Sequence, residues 1–363
     1  MRCKFLTPLL WKGLVRSKNK CMPDSVMKSM LSEYSAHALR GIEHFIPDKE
    51  PKKYLYDLIA DYPNRGGKGF RPGLCIATCK AYGGTLDRVI NSATSLELFH
   101  NAFLIHDDIE DDSYVRRNKP TMHQYNNSAI AINVGDAMNV LSMKPLMMNK
   151  EILGPSLTLK IFFEIQHMVT ESVEGQAIEL GWRKDNDCDL KEADYLRMIL
   201  KKTCWYTCIH PIRIGAMIGS NGKANVEQFN RFGYFMGTAF QIQDDILNLI
   251  AEEKKYGKEI GGDIIEGKRT LMLIHLLENC NKAEHKKIKA FLASTHVDGK
   301  EESAAWILKL MHKNKSIEHS RSIAKYMAGA ALKEFYTIFS KLPDSKDKKF
   351  IEDLIIYMIN RDY

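Results

Sequence analysis

The chain has 363 residues and a formal net charge of +7, but residues 1–23 carry six bases and no acid, leaving 46 bases against 45 acids for the rest. That near-even balance gives no electrostatic case for a nucleic-acid partner, and no apolar run approaches the roughly 20 residues that span a bilayer. Glycine (23) and proline (11) are sparse and apolar residues recur at helical spacing, so we expect an all-α protein, a single large helical bundle around a central cavity.

The basic N-terminus, with an apolar patch from Phe5 to Val15, reads either as an organelle presequence or as a disordered tail. We expect residues 1–30 to form this extension and 31–363 one helical domain. Eight cysteines in a long chain suit a reducing compartment, cytoplasmic unless the first 23 residues are a presequence. Cys75/Cys79 and Cys204/Cys208 lack the tight spacing of zinc knuckles and read as buried apolar residues.

Helices are expected over 24–45 and 52–61. The turn Arg65-Gly66-Gly67-Lys68-Gly69-Phe70-Arg71-Pro72 then opens a helix running to residue 82. Such a turn can dock an anion at a helix start, or it is a basic surface loop. Residues 87–112 form an apolar helix ending in His106-Asp107-Asp108-Ile109-Glu110-Asp111-Asp112, with Arg116-Arg117 just beyond. Asp107 and Asp111 share a helix face one turn apart, a pair that can hold a hard cation such as magnesium. A solvated acidic helix end is the plainer reading of one such pair, and a second copy weighs against it.

Long helices are expected over 124–150, 157–180 and 190–219. The last contains Lys201-Lys202-Thr203 among apolar neighbours, so a lysine there either finds an anion or snorkels to solvent. The second acidic run, Gln241-Ile242-Gln243-Asp244-Asp245-Ile246-Leu247-Asn248, lies on a helix over 225–251. Asp244 and Asn248 share a face, and two such helices aimed at each other would cage several magnesium ions and one polyanion. A glycine-rich basic loop follows, from Tyr256 to Thr270, able to bring Lys258 and Lys268 over that polyanion. The final third is helical and lysine-rich, broken near 295–301 and at Pro343, and carries no recognisable chemistry.

Taken in order, Gly67-Lys68, Arg71-Pro72, His100, the Asp107–Asp111 motif, Arg116-Arg117, Lys202-Thr203, Phe240-Gln241, Asp244-Asp245, Gly257-Lys258, Asp263 and Gly267-Lys268 resemble the trans-isoprenyl diphosphate synthase family, the farnesyl and geranylgeranyl diphosphate synthases. The similarity covers about residues 35–345. It implies a basic, metal-free isopentenyl diphosphate site at Lys68, Arg71, His100 and Arg117. It also implies an allylic site with three magnesium ions on Asp107, Asp108, Asp111 and Asp244. Arg116, Lys202, Lys258 and Lys268 would contact the allylic diphosphate, with Thr203, Gln241 and Asp245 nearby.

The reaction implied is head-to-tail condensation of isopentenyl diphosphate with dimethylallyl, geranyl or farnesyl diphosphate by a homodimeric prenyltransferase. Magnesium and fixed cations would stabilise the departing diphosphate. Two positions depart from the family's pattern: Asn248, where a third aspartate is common, and Asn118, where a glycine is common. In the family, bulk at the fourth and fifth residues before the first motif shortens the product. Here these are Phe103 and Ala102, which favour geranylgeranyl diphosphate (C20) over farnesyl diphosphate (C15). The alternatives are a type I terpene cyclase, which would not need the second basic site, and a non-catalytic subunit of a heteromeric synthase. A metal-dependent phosphohydrolase built on His106-Asp107 ranks last, since the acids continue along one helix.

Overall fold

A computed structural model describes residues 24–250, 261–294 and 300–360. The presequence reading of 1–23 and the expectation for Lys258 lie outside the described residues. The architecture is all-α: thirteen principal helices among the described residues, with one two-stranded hairpin.

Helix α1 (Asp24–Phe45) starts ahead of the domain boundary expected at residue 31 and buries Met27 and Met30 in the core. The helix expected over 52–61 begins as a π-helical turn (Lys52–Tyr56), runs into α-helix (Asp57–Ile59), is interrupted at Ala60 and ends in one further turn (Asp61–Asn64). Helices α2 (Phe70–Ala81) and α3 (Leu86–Glu110) follow. Strands β1 (Val115–Arg116) and β2 (Lys119–Pro120) pair antiparallel, Val115 opposite Pro120.

The hairpin's two-residue tip is Arg117-Asn118, with φ of 54° and 60°. A tip that matches the twist of its strands needs positive φ at both positions. Asparagine tolerates that conformation, which accounts for Asn118, while for Arg117 it costs about 1 kcal/mol. Strain of this kind marks a residue whose side chain is wanted in one place.

Helices α4 (Ser128–Leu153) and α5 (Pro155–Lys184) form a long antiparallel pair. Asn127 caps the first by accepting from Ile130 N at 2.9 Å, and Pro155 opens the second, where a missing N–H costs nothing. The expected helix over 190–219 is continuous in space but changes winding: α6 (Glu192–Ile199), a π-helical stretch (Leu200–Ile209), then α7 (His210–Gly219). Gly175 of α5 lies directly on the backbone of Lys202, and a Cβ at Gly237 would stand 2.9 Å from the Cys204 Cα. Two side-chain-free positions thus let neighbouring helices grip the π-helical stretch from both sides.

Helix α8 (Phe229–Ile250) packs against that stretch and against α12 (Ser316–Phe339). Helices α9 (Leu271–Asn279), α10 (Lys282–Leu292), α11 (Lys300–Lys313) and α13 (Lys346–Asn360) complete the bundle. The main core runs through α1, α2, α3, α7, α8, α12 and α13. A second surrounds α9, and a third joins α1, α3 and α4. Cys75, Cys79, Cys204 and Cys208 are buried free thiols, as the apolar reading expects. Burial pushes the Cys204 thiol up to about 12, so it is inert at neutral pH.

Candidate active site

The C-terminal end of α3 and the middle of α8 face each other across a cavity of about 800 Å³, to which Asp107, Asp244 and Asp245 all contribute. The first acidic run lies among bases. Lys202 Nζ is 3.3 Å from Asp107 Oδ1 and bonded to Glu179; Arg116 Nη2 is 3.5 Å from Asp107 Oδ2. Asp111, the cap of α3, receives Arg183 Nη1 at 2.5 Å and Lys268 Nζ at 2.6 Å. Lys268 also meets Glu266 at 2.7 Å. Burial works against the charge of Lys202 and Lys268. The carboxylates outweigh it and hold both ammonium groups above their usual range.

Asp108 corrects an expectation. It is fully buried and outside the cavity wall, turned toward Tyr62 and the hairpin, its Cβ rotated by about 100° from that of Asp107. Its oxygens are taken by Arg116 Nε at 2.9 Å and by the Tyr62 hydroxyl, which donates at 2.7 Å. Tyr62 in turn accepts from Met122 N at 3.1 Å. Asp108 therefore fixes Arg116 and the hairpin rather than facing a metal. Asp108→Asn is expected to cost about 3–5 kcal/mol, the penalty for stranding one partner of a buried ion pair. Chemical denaturation checks this, and a loss below about 1 kcal/mol would contradict it.

On α8 a chain of hydrogen bonds orders the second acidic run. Thr203 Oγ1 donates to Gln241 Oε1 at 2.9 Å, Gln241 Nε2 donates to Asp245 Oδ1 at 2.7 Å, and the Tyr195 hydroxyl donates to Asp245 Oδ2 at 2.7 Å. Burial, and then repulsion from Asp263, pushes the Asp245 carboxyl well above the usual range. Asn248 is buried, and its Oδ1 accepts from Asp263 N at 3.1 Å while its carbonyl accepts from Gly261 N at 2.7 Å. The amide here pins the chain that carries Asp263 into the cavity wall.

Lys68, Arg71, His100 and Arg117 line the same cavity. Arg71 donates to Thr207 Oγ1 at 2.8 Å and lies 4.1 Å over the Tyr206 ring. Arg117, held by the strained hairpin tip, donates to the Tyr62 carbonyl at 2.9 Å. Burial lowers its guanidinium to about 10, with Glu97 opposing the shift and Arg116 adding to it. Burial, then Arg71 and Arg117, drive His100 well below the usual imidazole range, so it is neutral.

Four lining or supporting residues escaped the sequence reading. Glu97 stands one turn before His100 on the same helix face, a relation the spacing shows. Glu179 lies near the C-terminal end of α5, and Tyr206 follows Lys202 by one turn. Arg183, seventy-two positions from Asp111, gave no local signal.

Below the acids, Phe103 and Tyr206 meet edge to face at 5.6 Å, with Phe99 6.3 Å further along from Phe103. Phe103 lines the cavity as expected. Ala102 does not: it is fully buried in the third core, with Ile42, Leu98, Val134 and Met138. A helix turns about 100° per residue, and at this point the turn carries Ala102 off the cavity face and into the third core.

Known proteins resemble this chain in sequence and in fold. The polyprenyl synthetase family model matches residues 52–311. A short chain isoprenyl diphosphate synthase of Methanothermobacter thermautotrophicus is 30% identical over 299 residues, 81% of this chain and 87% of that protein. A geranylgeranyl diphosphate synthase of Sulfolobus acidocaldarius is 32% identical over 302 residues, 83% of this chain and 88% of that protein. The crystal structure of a geranylgeranyl pyrophosphate synthetase from Pyrococcus horikoshii superposes with a TM-score of 0.82 at 30% identity, covering 93% of this chain and 99% of that one. With a family match across most of the bundle, and relatives of this identity aligned along most of their own length, the chain belongs to the polyprenyl synthetase family.

Proposed function

We propose that the protein condenses isopentenyl diphosphate head-to-tail with dimethylallyl, geranyl or farnesyl diphosphate, with geranylgeranyl diphosphate (C20) as its main product and farnesyl diphosphate (C15) next. The observation that carries this reading is one cavity lined by two chemically different groups of side chains. Carboxylates with lysine and arginine partners form one, and the cluster of Lys68, Arg71, His100 and Arg117 with Glu97 the other, and Phe103 and Tyr206 line the same cavity.

The donor set fits a hard divalent ion. Among the described residues no three His, Cys, Asp or Glu side chains converge into a closed metal cage. Magnesium needs none, since it takes one or two carboxylates and completes its shell with water and substrate phosphate. Asp107 and Asp244, both in the cavity wall, would hold magnesium; Asp111, buried just outside that wall against Arg183 and Lys268, would join them as Lys268 turns to the diphosphate, with Asp108 behind as a positioning residue. When bound, the ions would stabilise negative charge on the leaving diphosphate.

The chain's own groups do the rest. Lys202 and Lys268 already lie beside Asp107 and Asp111, so a diphosphate delivered there meets fixed ammonium groups with little reorganisation. Arg116, locked by Asp108, adds a guanidinium from the hairpin. Lys68, Arg71, His100 and Arg117 would hold isopentenyl diphosphate with its double bond toward the allylic carbon. Phe103 and Tyr206 keep water from the cation and receive the growing tail.

A homodimer is part of this proposal. Helices α4 and α5 carry exposed Val140, Met143, Met147, Leu159, Phe163 and Val173, several more than half exposed, an apolar strip of the kind a second copy covers. No described helix is long and apolar enough to cross a membrane. The test is chromatography of products from labelled isopentenyl diphosphate with each allylic starter and magnesium. C20 product that disappears with a chelator is expected; no elongation from any starter would refute the proposal.

A further inference from the structure

The basic pocket contains one residue of the wrong sign for an anion site. Glu97 projects from α3 into the cavity wall shared by Lys68 from the loop before α2, Arg71 from α2, His100 from α3, Tyr206 from the π-helical stretch and Arg117 from the hairpin. Its Oε2 is buried without a hydrogen-bond partner, and so are Arg71 Nε and His100 Nδ1. Three unpartnered polar atoms in one pocket mark a place whose hydrogen bonding a ligand completes.

Charge decides what Glu97 must do there. Lys68, Arg71 and Arg117 bring three positive charges, and an ionised Glu97 cuts the total to two. A diphosphate ester with its terminal phosphate ionised brings three negative charges. A carboxylate beside it would lose the attraction of the guanidiniums, now neutralised by phosphate, and gain a like-charged neighbour. A protonated carboxyl avoids both costs and acquires an O–H able to donate to a phosphate oxygen or to the neutral His100 ring.

We infer that Glu97 takes up one proton from solvent when isopentenyl diphosphate enters the pocket, so that the pocket presents its full cationic charge only to its ligand. This rests on the placement of that diphosphate given under the proposed function. Burial already raises the Glu97 carboxyl in the unliganded pocket, with Arg71 and Arg117 pulling it back. Binding removes the pull, so its affinity for protons is higher in the complex. Where the terminal phosphate stays ionised, affinity for the diphosphate then falls as pH rises between the free-state and bound-state values of Glu97, by up to about tenfold per pH unit.

The experiment is calorimetric titration of the full chain with isopentenyl diphosphate, chelator present, in buffers of different ionisation enthalpy. It is run above about pH 7.5, where the terminal phosphate (second pKa about 6) releases no proton of its own. Wild type is expected to take up a net fraction approaching one proton, and Glu97→Gln none, with an affinity that no longer falls with pH. Uptake that persists in Glu97→Gln would assign the proton to His100 and overturn the inference. Binding by wild type without proton uptake would overturn it too, whatever the variant's fold. Failure of wild type to bind in chelator would instead remove the pocket assignment itself, and the inference with it.

Discussion

Asp107→Ala and Asp244→Ala are each expected to lower turnover by at least about 10² to 10³, the size of effect seen when one preorganised charge contact to a transition state is lost. Neither change should cost much stability. Asp107 is partly exposed, and its lysine partner keeps Glu179, so the loss is that of a solvent-screened ion pair, about 1 kcal/mol or less. Asp244 is half-buried on the cavity wall and leaves the Thr203–Gln241–Asp245–Tyr195 chain untouched. The two readouts are product formation under saturating magnesium and metal-free affinity for isopentenyl diphosphate. The first should collapse while the second holds, because the basic pocket uses neither acid. Turnover within about tenfold of wild type in both variants would remove the acid-bearing helices from the reaction.

The contrast with Asp108 shows how far the sequence carries. Neighbouring aspartates in one motif look alike in a string of letters, and the i, i+4 relation correctly pairs Asp107 with Asp111. It does not say which way the residue between them turns. Tyr62 and Arg116, forty-six and eight positions away, decide that, and both act through tertiary contacts. The same holds for Asn248, which stands where the family commonly has a third aspartate and whose side-chain carbonyl accepts from the Asp263 backbone.

What periodicity conveys well is the helical bundle itself and the faces its long helices bury. Short-range irregularity is harder. Residues 52–64 have helical composition but break around Ala60, and the run over 192–219 changes to π-winding where Gly175 and Gly237 let two helices approach. Asn118, opaque in the string, becomes plain once the hairpin tip requires positive φ. Arg183 and Tyr62 carry their weight only through chain reversals that no local pattern encodes.

Phe103→Ala is expected to lengthen the product by one or two five-carbon units. The ring stands in the cavity wall below Asp107, one helical turn or about 6 Å deeper, where a growing tail arrives first. Its removal opens the space between Tyr206 and Phe99, which becomes the next floor, so Phe99→Ala on top of it should lengthen the product again. Because Phe103 is half-buried, the stability cost should fall below the roughly 3–5 kcal/mol of a fully buried phenylalanine. Position 102 supplies the control. In the family, bulk there shortens the product, but here Ala102 is packed among Ile42, Leu98, Val134 and Met138, away from the cavity. Ala102→Phe should therefore act first on stability, by about 1–3 kcal/mol of overpacking, and on product length only as far as α3 shifts. Product chromatography and thermal melting of the three variants separate the roles. An unchanged product profile in Phe103→Ala, or a shortened one with unchanged melting in Ala102→Phe, would place the tunnel floor elsewhere.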